Sequence, residues 1–332
     1  MKTDRLFSPE MLDLNCEREV ETITCSIREA LSLKLHRRGL VLGLSGGIDS
    51  SLTAALCARA VGSDKVLGLQ MPERHSASES TDLGLLMANH LQISTSVIDI
   101  TPILEAVGFY DKYDEAVRKA VPSYGRGWKS KIVISNRTEE KAFTLFSIVV
   151  RSPDGAETKA RLDLNSYLAI VAATNFKQRI RKMLEYYTAD KNNFAVAGTP
   201  NRLEYDQGFF VKLGDGAADI KPIAHLYKTQ VYQLARYLGL PETIIRRPPT
   251  TDTYSLPQSQ DEFYFSVSYN VMDICLFGKN HGFSPEDVSP FTGLTVGQVR
   301  GIYRDIDIKR STTRYLHWPP IGAVPVPEVV LI

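Results

Sequence analysis

An apolar strand that runs directly into a loop of small residues, and from there into a helix, constrains the fold of this chain more than any other stretch. Residues 40–44 are apolar, residues 45–50 read SGGIDS, and residues 51–56 have the composition of a helix. Glycines let a backbone approach a ligand closely, and the free N–H groups at the start of a helix attract anions. Ser45 and Ser50 add hydroxyl donors. The stretch therefore predicts a phosphate-binding turn.

The carboxylate of Asp49 lies among these anion-binding groups. A carboxylate beside a phosphate indicates a cation between the two. The kinase-type phosphate loop ends in Lys-Ser or Lys-Thr, but the first lysine after this loop is Lys65, and the dinucleotide fingerprint GxGxxG is absent. A glycine-rich turn without a ligand is the alternative interpretation of the loop.

Further strands alternate with helices along the chain, which predicts a three-layer, doubly wound parallel α/β sheet with right-handed crossovers. In such a sheet the ligand lies at the carboxyl ends of the strands. The loop at residues 45–50, the strand end at 71–74 and residues 198–204 are therefore expected at one edge. The predicted strands are residues 40–44, 66–71, 94–100 and 194–197, and the predicted helices are residues 9–36, 51–60, 76–91, 104–120, 167–187 and 228–238.

We interpret residues 1–332 as one domain. Two parts of it depart from the alternation of strands and helices, residues 122–163 and residues 261–332. We interpret residues 122–163 as a small antiparallel insertion, whose role as a lid, a contact between subunits or a surface hairpin stays open. Its strand-like runs are residues 131–135, 143–150 and 157–162. We expect residues 261–332 to be a helical C-terminal extension. Its predicted helices are residues 265–280 and 295–308.

The composition is that of an ordinary soluble globular protein. A hydrophobic fraction of 43% and a charged fraction of 23% fit this class, and a net charge of +1 favours neither nucleic acid nor an anionic membrane as partner. We find neither a signal peptide nor an apolar run long enough to span a membrane. The cysteines form no Cys-x-x-Cys pair, so we expect no zinc site and a cytoplasmic, reducing location. They are Cys16, Cys25, Cys57 and Cys275.

Five short strings occur in a fixed order along the chain. They are residues 45–50 (SGGIDS), 175–181 (NFKQRIR), 198–204 (GTPNRLE), 214–219 (GDGAAD) and 222–231 (PIAHLYKTQV). Together they resemble the ammonia-dependent type of the NAD synthetase family, within the ATP pyrophosphatases. That resemblance implies the adenine nucleotide alpha hydrolase-like variety of the predicted fold, and it covers roughly residues 17–250 apart from the insertion.

The resemblance implies a ligase of NAD biosynthesis that forms a C–N bond. ATP would adenylate the carboxylate of nicotinic acid adenine dinucleotide (deamido-NAD) and release pyrophosphate, and ammonia would then displace AMP to give NAD. ATP is thus the implied co-substrate and Mg²⁺ the implied metal. Charge that develops on the α-phosphate and on the leaving pyrophosphate calls for backbone donors, a metal ion and a lysine.

The resemblance also implies the residues that carry out this reaction. Asp49 and Glu204 would hold Mg²⁺, and the catalytic residues would be Asp49, Lys228 and Asp219. The implied ATP-binding residues are Ser45, Gly46, Gly47, Ser50, Met71, Thr199 and Lys228. The implied residues for deamido-NAD are Asn175, Phe176, Arg179, Lys212, Asp215, Asp219 and Thr250. The two aspartates of this set would accept hydrogen bonds from ribose, or hold ammonium and take its proton.

Two departures from the family pattern keep other functions open. The family's Pro-Ser-Ala motif is replaced by Pro249-Thr250-Thr251, and the insertion is absent from compact members. One alternative is an amide-forming ligase of the same fold that adenylates a different carboxylate. The other is a non-catalytic nucleotide-binding homologue.

The nitrogen source and the assembly are expectations from the same resemblance. Glutamine-dependent members carry a nitrilase-like domain upstream, whereas only a short segment precedes Ser45 here. We therefore expect free ammonia as the substrate, or ammonia from a separate glutaminase subunit. The family is homodimeric with its dinucleotide site at the subunit interface, so we also expect a homodimer.

Overall fold

The structure is a computed structural model that describes residues 6–76, 78–135, 145–249, 253–258, 264 and 267–324. Its strands are β1 (Leu40–Gly43), β2 (Val66–Gln70), β3 (Ser94–Val97), β4 (Lys129–Ser135), β5 (Leu145–Arg151), β6 (Glu157–Arg161) and β7 (Ala195–Val196). Its helices are α1 (Cys16–Glu29), α2 (Ile48–Val61), α3 (Ser78–Leu91), α4 (Thr101–Ala106), α5 (Phe109–Ala120), α6 (Leu164–Asn192), α7 (Arg202–Gln207), α8 (Lys228–Tyr237), α9 (Glu242–Ile245), α10 (Tyr269–Asn280), α11 (Pro285–Val288) and α12 (Val296–Thr313).

Four parallel strands form the central sheet in the order β3-β2-β1-β7. In the middle of this order, Leu40 of β1 pairs with Val66 of β2 on one side and with Ala195 of β7 on the other. The carboxyl ends of these three strands therefore lie side by side, at the edge where such sheets bind ligands. The predicted parallel α/β sheet is confirmed.

Side chains of β1 alternate between two hydrophobic cores, one on each face of the sheet. Leu40 and Leu42 belong to the core that includes α1, α2, α3 and α8, whereas Val41 belongs to the core that includes α4, α5 and α6. The pleat of a strand imposes this alternation, and a strand covered on both faces is apolar throughout. The uninterrupted apolar run at residues 40–44 thus reflects a three-layer fold with helices on both sides.

The predicted insertion forms an antiparallel sheet in the order β4-β5-β6. Ile132, Ile148 and Val150 on this sheet are fully buried and share the core of α5 and α6. The insertion sheet therefore packs on the main fold along one face and is not a solvated hairpin. Residues 143 and 144 of its predicted middle strand lie outside the described residues.

The C-terminal part is helical, as predicted, with α10 and α12 as its longest elements. Residues 265 and 266 of the predicted helix at 265–280 lie outside the described residues. The two helices form a third core, which includes Phe7, Leu12 and Tyr227, the residue that precedes α8. No helix in the described part of the chain has the length and apolar character needed to cross a bilayer.

Candidate active site

A cavity of about 470 Å³ lies at the carboxyl edge of the central sheet. Its wall includes the loop between β1 and α2, the end of β2, one side of α6 and the segments that follow β7. Residues from all five ordered strings meet there. The predicted site residues on the wall are Ser45, Gly47, Asp49, Ser50, Met71, Asn175, Thr199, Glu204, Asp215 and Lys228.

The two serines of the phosphate loop hold it in a tight turn. Ser50 Oγ donates to the carbonyl of Gly47 at 3.0 Å, and the two hydroxyl oxygens of Ser45 and Ser50 lie 3.0 Å apart. Gly47 precedes α2 and provides no side-chain cap, so the first N–H groups of this helix are free for an anion. The geometry suits a phosphate at the start of α2.

Gly46 is required for the turn, and its α-carbon lies close to α3. Its φ of +70° lies in the left-handed region, and a Cβ atom there would meet Leu83 Cβ at 2.6 Å and the backbone of Gly84 at 2.9 Å. Only glycine combines this conformation with such a close approach to α3. Among the described residues Gly46 is not part of the cavity wall, although the resemblance implies that it binds ATP.

Asp49, Glu204 and Lys228 converge beside the phosphate loop. Lys228 Nζ donates to Asp49 Oδ2, and the lysine side chain is only 1% exposed. Asn201 Nδ2 donates to the other carboxylate oxygen of Asp49 at 3.0 Å. The backbone N–H of Asn201 donates to Glu204 Oε2 at 3.1 Å, so Asn201 links the two carboxylates.

The electrostatics of this group depend on burial and on the two like charges. Burial, together with the carboxylate of Asp49, raises the pKa of Glu204 to about 8, and Lys228 opposes this change. Burial by itself would lower the pKa of Lys228, but the carboxylates of Asp49 and Glu204 raise it above its ordinary value. The positive charge of one lysine thus does not fully compensate the negative charge of two carboxylates, so the site favours a further cation.

The donor set of this site fits Mg²⁺. Mg²⁺ in nucleotide sites usually binds one or two carboxylates together with substrate phosphates. Within the described parts of the chain no group of three or more His, Cys, Asp or Glu side chains could hold a metal without other ligands. Asp49 and Glu204 could therefore hold Mg²⁺ when phosphate oxygens complete its coordination.

Buried polar contacts fix the helices that carry Glu204 and Lys228. Asn201 and Glu204 form a capping box at the start of α7. The carboxylate of Asp273 on α10 accepts from the backbone N–H groups of Lys228 at 3.2 Å and of Thr229 at 2.6 Å. Burial raises the pKa of Asp273 to about 7. Asp273 thus caps α8 from a distant part of the chain, and the sequence carried no signal for this role.

A buried ion pair joins α6 to the end of β2. Lys177 Nζ donates to Glu73 Oε1 at 2.7 Å, and both side chains are at most 2% exposed. Tyr110 donates to the other oxygen of Glu73 at 2.9 Å, and Lys177 also donates to the carbonyl of Thr253 at 3.1 Å. Lys177 and Thr253 both line the cavity. The position of Glu73 directly after a predicted strand was the one sequence signal for this pair.

A second buried pair on α6, Lys182 with Glu185, also lines the cavity, as does Asp215. Lys182 Nζ lies 2.5 Å from Glu185 Oε2. Burial raises the pKa of both Glu185 and Asp215. The backbone N–H of Val211 donates to Asp215 at 2.7 Å and fixes its carboxylate. The cavity wall therefore holds two acidic groups whose charged forms are disfavoured by burial.

Arg247 is a further wall residue that the sequence analysis did not select. Its guanidinium donates to Ser80 Oγ at 2.9 Å and reaches the carbonyl of Gly46 at 3.5 Å. It thereby ties the phosphate loop to α3 beside the cavity. Its basic side chain in a predicted loop was the available signal.

Four residues implied for the second substrate, or for catalysis, do not lie on the cavity wall as far as the described residues define it. Phe176 packs against the core of α5 and α6. Arg179 Nε donates to the carbonyl of Lys212 at 3.4 Å, while Lys212 Nζ donates to the carbonyl of Tyr315 at 2.8 Å. These contacts leave both cations at the surface beside the cavity.

Asp219, the fourth of these residues, holds the end of β7. Its carboxylate accepts from the N–H of Val196 at 2.7 Å and from the hydroxyl of Tyr186 at 3.3 Å. It thus fixes the segment that carries Asp215. Thr250 lies outside the described residues.

Comparisons with known proteins agree with this fold. The family model described as NAD synthase matches residues 19–123 and 144–312. The NH(3)-dependent NAD(+) synthetase of Mesorhizobium japonicum is 54% identical over 96% of this chain and 100% of its own length, and that of Rhizobium meliloti is 55% identical over 98% and 97%.

Solved structures of low identity support the fold alone. An NMN synthetase from Francisella tularensis has a TM-score of 0.65 at 21% identity and covers 93% of this chain and 99% of its own. An NH3-dependent NAD synthetase from Campylobacter jejuni, in complex with the nitrate ion, has a TM-score of 0.61 at 23% identity and covers 94% and 100%.

Proposed function

This chain belongs to the NAD synthase family, and on that premise we propose how its cavity converts a carboxylate into an amide. Its activity is ammonia-dependent NAD synthesis, a ligase reaction, since relatives of this name match it at 54% and 55% identity over nearly the full length of both chains. ATP is the co-substrate. The acid is deamido-NAD. Asp49 and Glu204 would hold Mg²⁺, which would offset phosphate charge when bound.

In the first half-reaction, a carboxylate oxygen of deamido-NAD attacks the α-phosphorus of ATP, and the bond from that phosphorus to the β-phosphate bridging oxygen breaks. The N–H groups at the start of α2 and the hydroxyls of Ser45 and Ser50 hold the pyrophosphate that leaves. Lys228 supplies positive charge where the phosphates become more negative. No protein nucleophile is needed, because orientation and charge stabilisation carry this step.

In the second half-reaction, ammonia attacks the acyl carbon, and AMP leaves with the electrons of the C–O bond. After the attack the nitrogen must lose a proton to give the neutral amide. Ammonium must likewise lose a proton to form the attacking ammonia. Asp215 is the acceptor we assign, because it lines the cavity and burial raises its pKa. Asp219 contributes by fixing the backbone beside β7.

The convergence of Asp49, Glu204 and Lys228 on the phosphate loop is the observation that carries this proposal. Incubation with ATP, Mg²⁺, ammonium and deamido-NAD should yield NAD and AMP in equal amounts. Asp49→Asn should abolish both products while its unfolding transition stays close to that of the wild type. Near-normal turnover of this variant would refute the assigned role. AMP release with nicotinic acid mononucleotide, and not with deamido-NAD, would identify a different acid substrate.

Exposed apolar side chains along α6 support a homodimer. Leu164, Leu168, Met183 and Tyr187 are between 51% and 69% exposed, and Arg179 lies four residues before Met183. Residues four apart share one side of a helix, so Leu164 lies beside Leu168, and Met183 lies beside Arg179 and Tyr187. Both groups are suited to packing against a second copy. In the dimer Arg179 would lie at the interface, where a dinucleotide could contact both subunits. Light scattering, which measures the molar mass in solution, tests this assembly. The Leu168→Glu variant is expected to be a monomer.

The location of the protein and the source of its ammonia are also part of what we propose. The four cysteines are all free thiols, which supports a cytoplasmic location. Ammonia reaches the site either free or from a separate glutaminase subunit.

A further inference from the structure

Residues 253–258 lie along the free edge of the insertion sheet. Within the described residues β4 pairs with β5 alone, so its other edge presents backbone groups that no described strand pairs with. There the N–H of Leu256 donates to the carbonyl of Ser130 at 3.1 Å, and the N–H of Ser130 donates to Ser255 Oγ at 2.8 Å. Both backbone groups of Ser130 are thus used by this segment.

The contact continues two residues further along β4. Gln258 Nε2 donates to the carbonyl of Ile132 at 2.5 Å, and Lys131 Nζ donates to the carbonyl of Pro257 at 3.3 Å. Backbone groups two residues apart on a strand point to the same side, so Ser130 and Ile132 offer one continuous edge. The segment follows this edge as a short additional strand would.

Burial along the segment has the same two-residue period. Tyr254, Leu256 and Gln258 are 5%, 2% and 2% exposed, whereas Ser255 and Pro257 are more accessible. Tyr254 belongs to the core that also contains Ile132 and Ile148 of the insertion. The side chains therefore dock inward while the backbone contacts β4.

The first two residues of this segment form part of the cavity wall. Thr253 and Tyr254 line the cavity, and the carbonyl of Thr253 accepts from Lys177. Lys177 is paired with Glu73, which lies two residues beyond Met71 at the end of β2. The segment thus borders the β2 side of the cavity, next to the strand end that carries Met71, one of the implied ATP-binding residues.

We propose that the insertion sheet is a docking edge that holds residues 253–258 and thereby positions Thr253 and Tyr254 on the wall of the ATP site. Ser255 and Gln258 are then positioning residues for the reaction, because their side chains contact β4 and not the substrate. This role rests on the function proposed above, and it assigns the insertion a part in nucleotide binding.

The test variant is Ser255→Ala combined with Gln258→Ala, which removes both side-chain contacts to β4. Loss of the two hydrogen bonds should make amide exchange at Leu256 about tenfold faster, as measured by hydrogen–deuterium exchange. It should also raise KM for ATP about tenfold, while kcat changes less than about twofold. Ser255→Thr keeps the hydroxyl and should retain the wild-type KM and exchange. The matched control, Ser152→Ala with Thr158→Ala, changes the turn after β5 and the far edge strand β6, and it should change neither quantity.

The two readouts separate the ways in which the inference can fail. Unchanged exchange at Leu256 in the double variant would show that β4 does not hold the segment. Faster exchange with unchanged KM for ATP would show that docking has no part in nucleotide binding. If the wild-type protein makes no NAD, the proposed function fails, whereas amide exchange and direct ATP binding by calorimetry still decide the docking role.

Discussion

Replacing Glu204 by glutamine should stabilise the free protein at alkaline pH while it abolishes NAD synthesis. Burial and the neighbouring Asp49 raise the pKa of Glu204 from its ordinary 4.5 to about 8. A carboxyl whose folded pKa lies above its unfolded pKa binds the proton more tightly in the folded state. The stability it contributes is fully present below pH 4.5 and is lost as the pH rises through about 8.

The size of the effect follows from the same values. A pKa raised from 4.5 to about 8 corresponds to at most about 5 kcal/mol. Glu204 is partly exposed to the open cavity, so water screens its charge, and we expect about 1–3 kcal/mol. Glutamine keeps an oxygen that can accept from the N–H of Asn201 but has no proton to lose. The variant should therefore escape this pH-dependent loss.

Urea unfolding without ATP or Mg²⁺, at about pH 5.5 and about pH 8.5, measures the prediction. The free energy of unfolding of Glu204→Gln, relative to wild type, should rise between the two pH values by about 1–3 kcal/mol. Other buried acids, such as Asp273 and Asp215, are present in both proteins and cancel in this difference. Glu286→Gln changes an exposed glutamate and should show no such rise. If the difference in free energy of unfolding between variant and wild type were the same at both pH values, it would refute the assignment of the pH-dependent loss of stability to Glu204.

Two further perturbations follow from the packing around the cavity. Lys177→Met leaves the carboxylate of Glu73 buried without the cation of Lys177 and should lower the free energy of unfolding by about 3–5 kcal/mol. The double variant Lys177→Met with Glu73→Gln should recover most of this loss. Equal losses for the two variants in urea unfolding would contradict the pairing. Gly46→Ala introduces a Cβ 2.6 Å from that of Leu83 and should weaken ATP binding at least about tenfold by calorimetry, because the loop must shift. Gly239→Ala, at a similar positive φ but in open space, should cost about 1 kcal/mol and leave ATP binding unchanged.

The phosphate loop is recognisable from the sequence as a unit, whereas the packing of Gly46 is not. The resemblance implies a contact between Gly46 and ATP, which stays a prediction, and the structure adds a close approach of Gly46 to Leu83 of α3. The sequence shows that a glycine is present. Which neighbour excludes a side chain there depends on how α3 packs against the loop, and no local pattern contains that information.

The buried charges near the cavity show the same limit. Lys177 and Glu73 are 104 residues apart, and Lys228 lies 179 residues from Asp49. Each charged residue taken alone is most simply interpreted as solvated. Only the packing of α6 and α8 against the strand ends removes these groups from water and brings their partners within hydrogen-bond distance.

Local patterns determined the parts of this protein that depend on local physics. An apolar run followed by SGGIDS and a helical segment specifies a strand, a tight turn and a helix start, and repeated alternation specifies a parallel sheet whose strand ends share one edge. The tertiary structure alone decided that Lys228 is buried in contact with Asp49, that Asp219 holds backbone, and that residues 253–258 follow the edge of β4. These outcomes depend on burial and on contacts between distant segments, which arise only when the three layers pack.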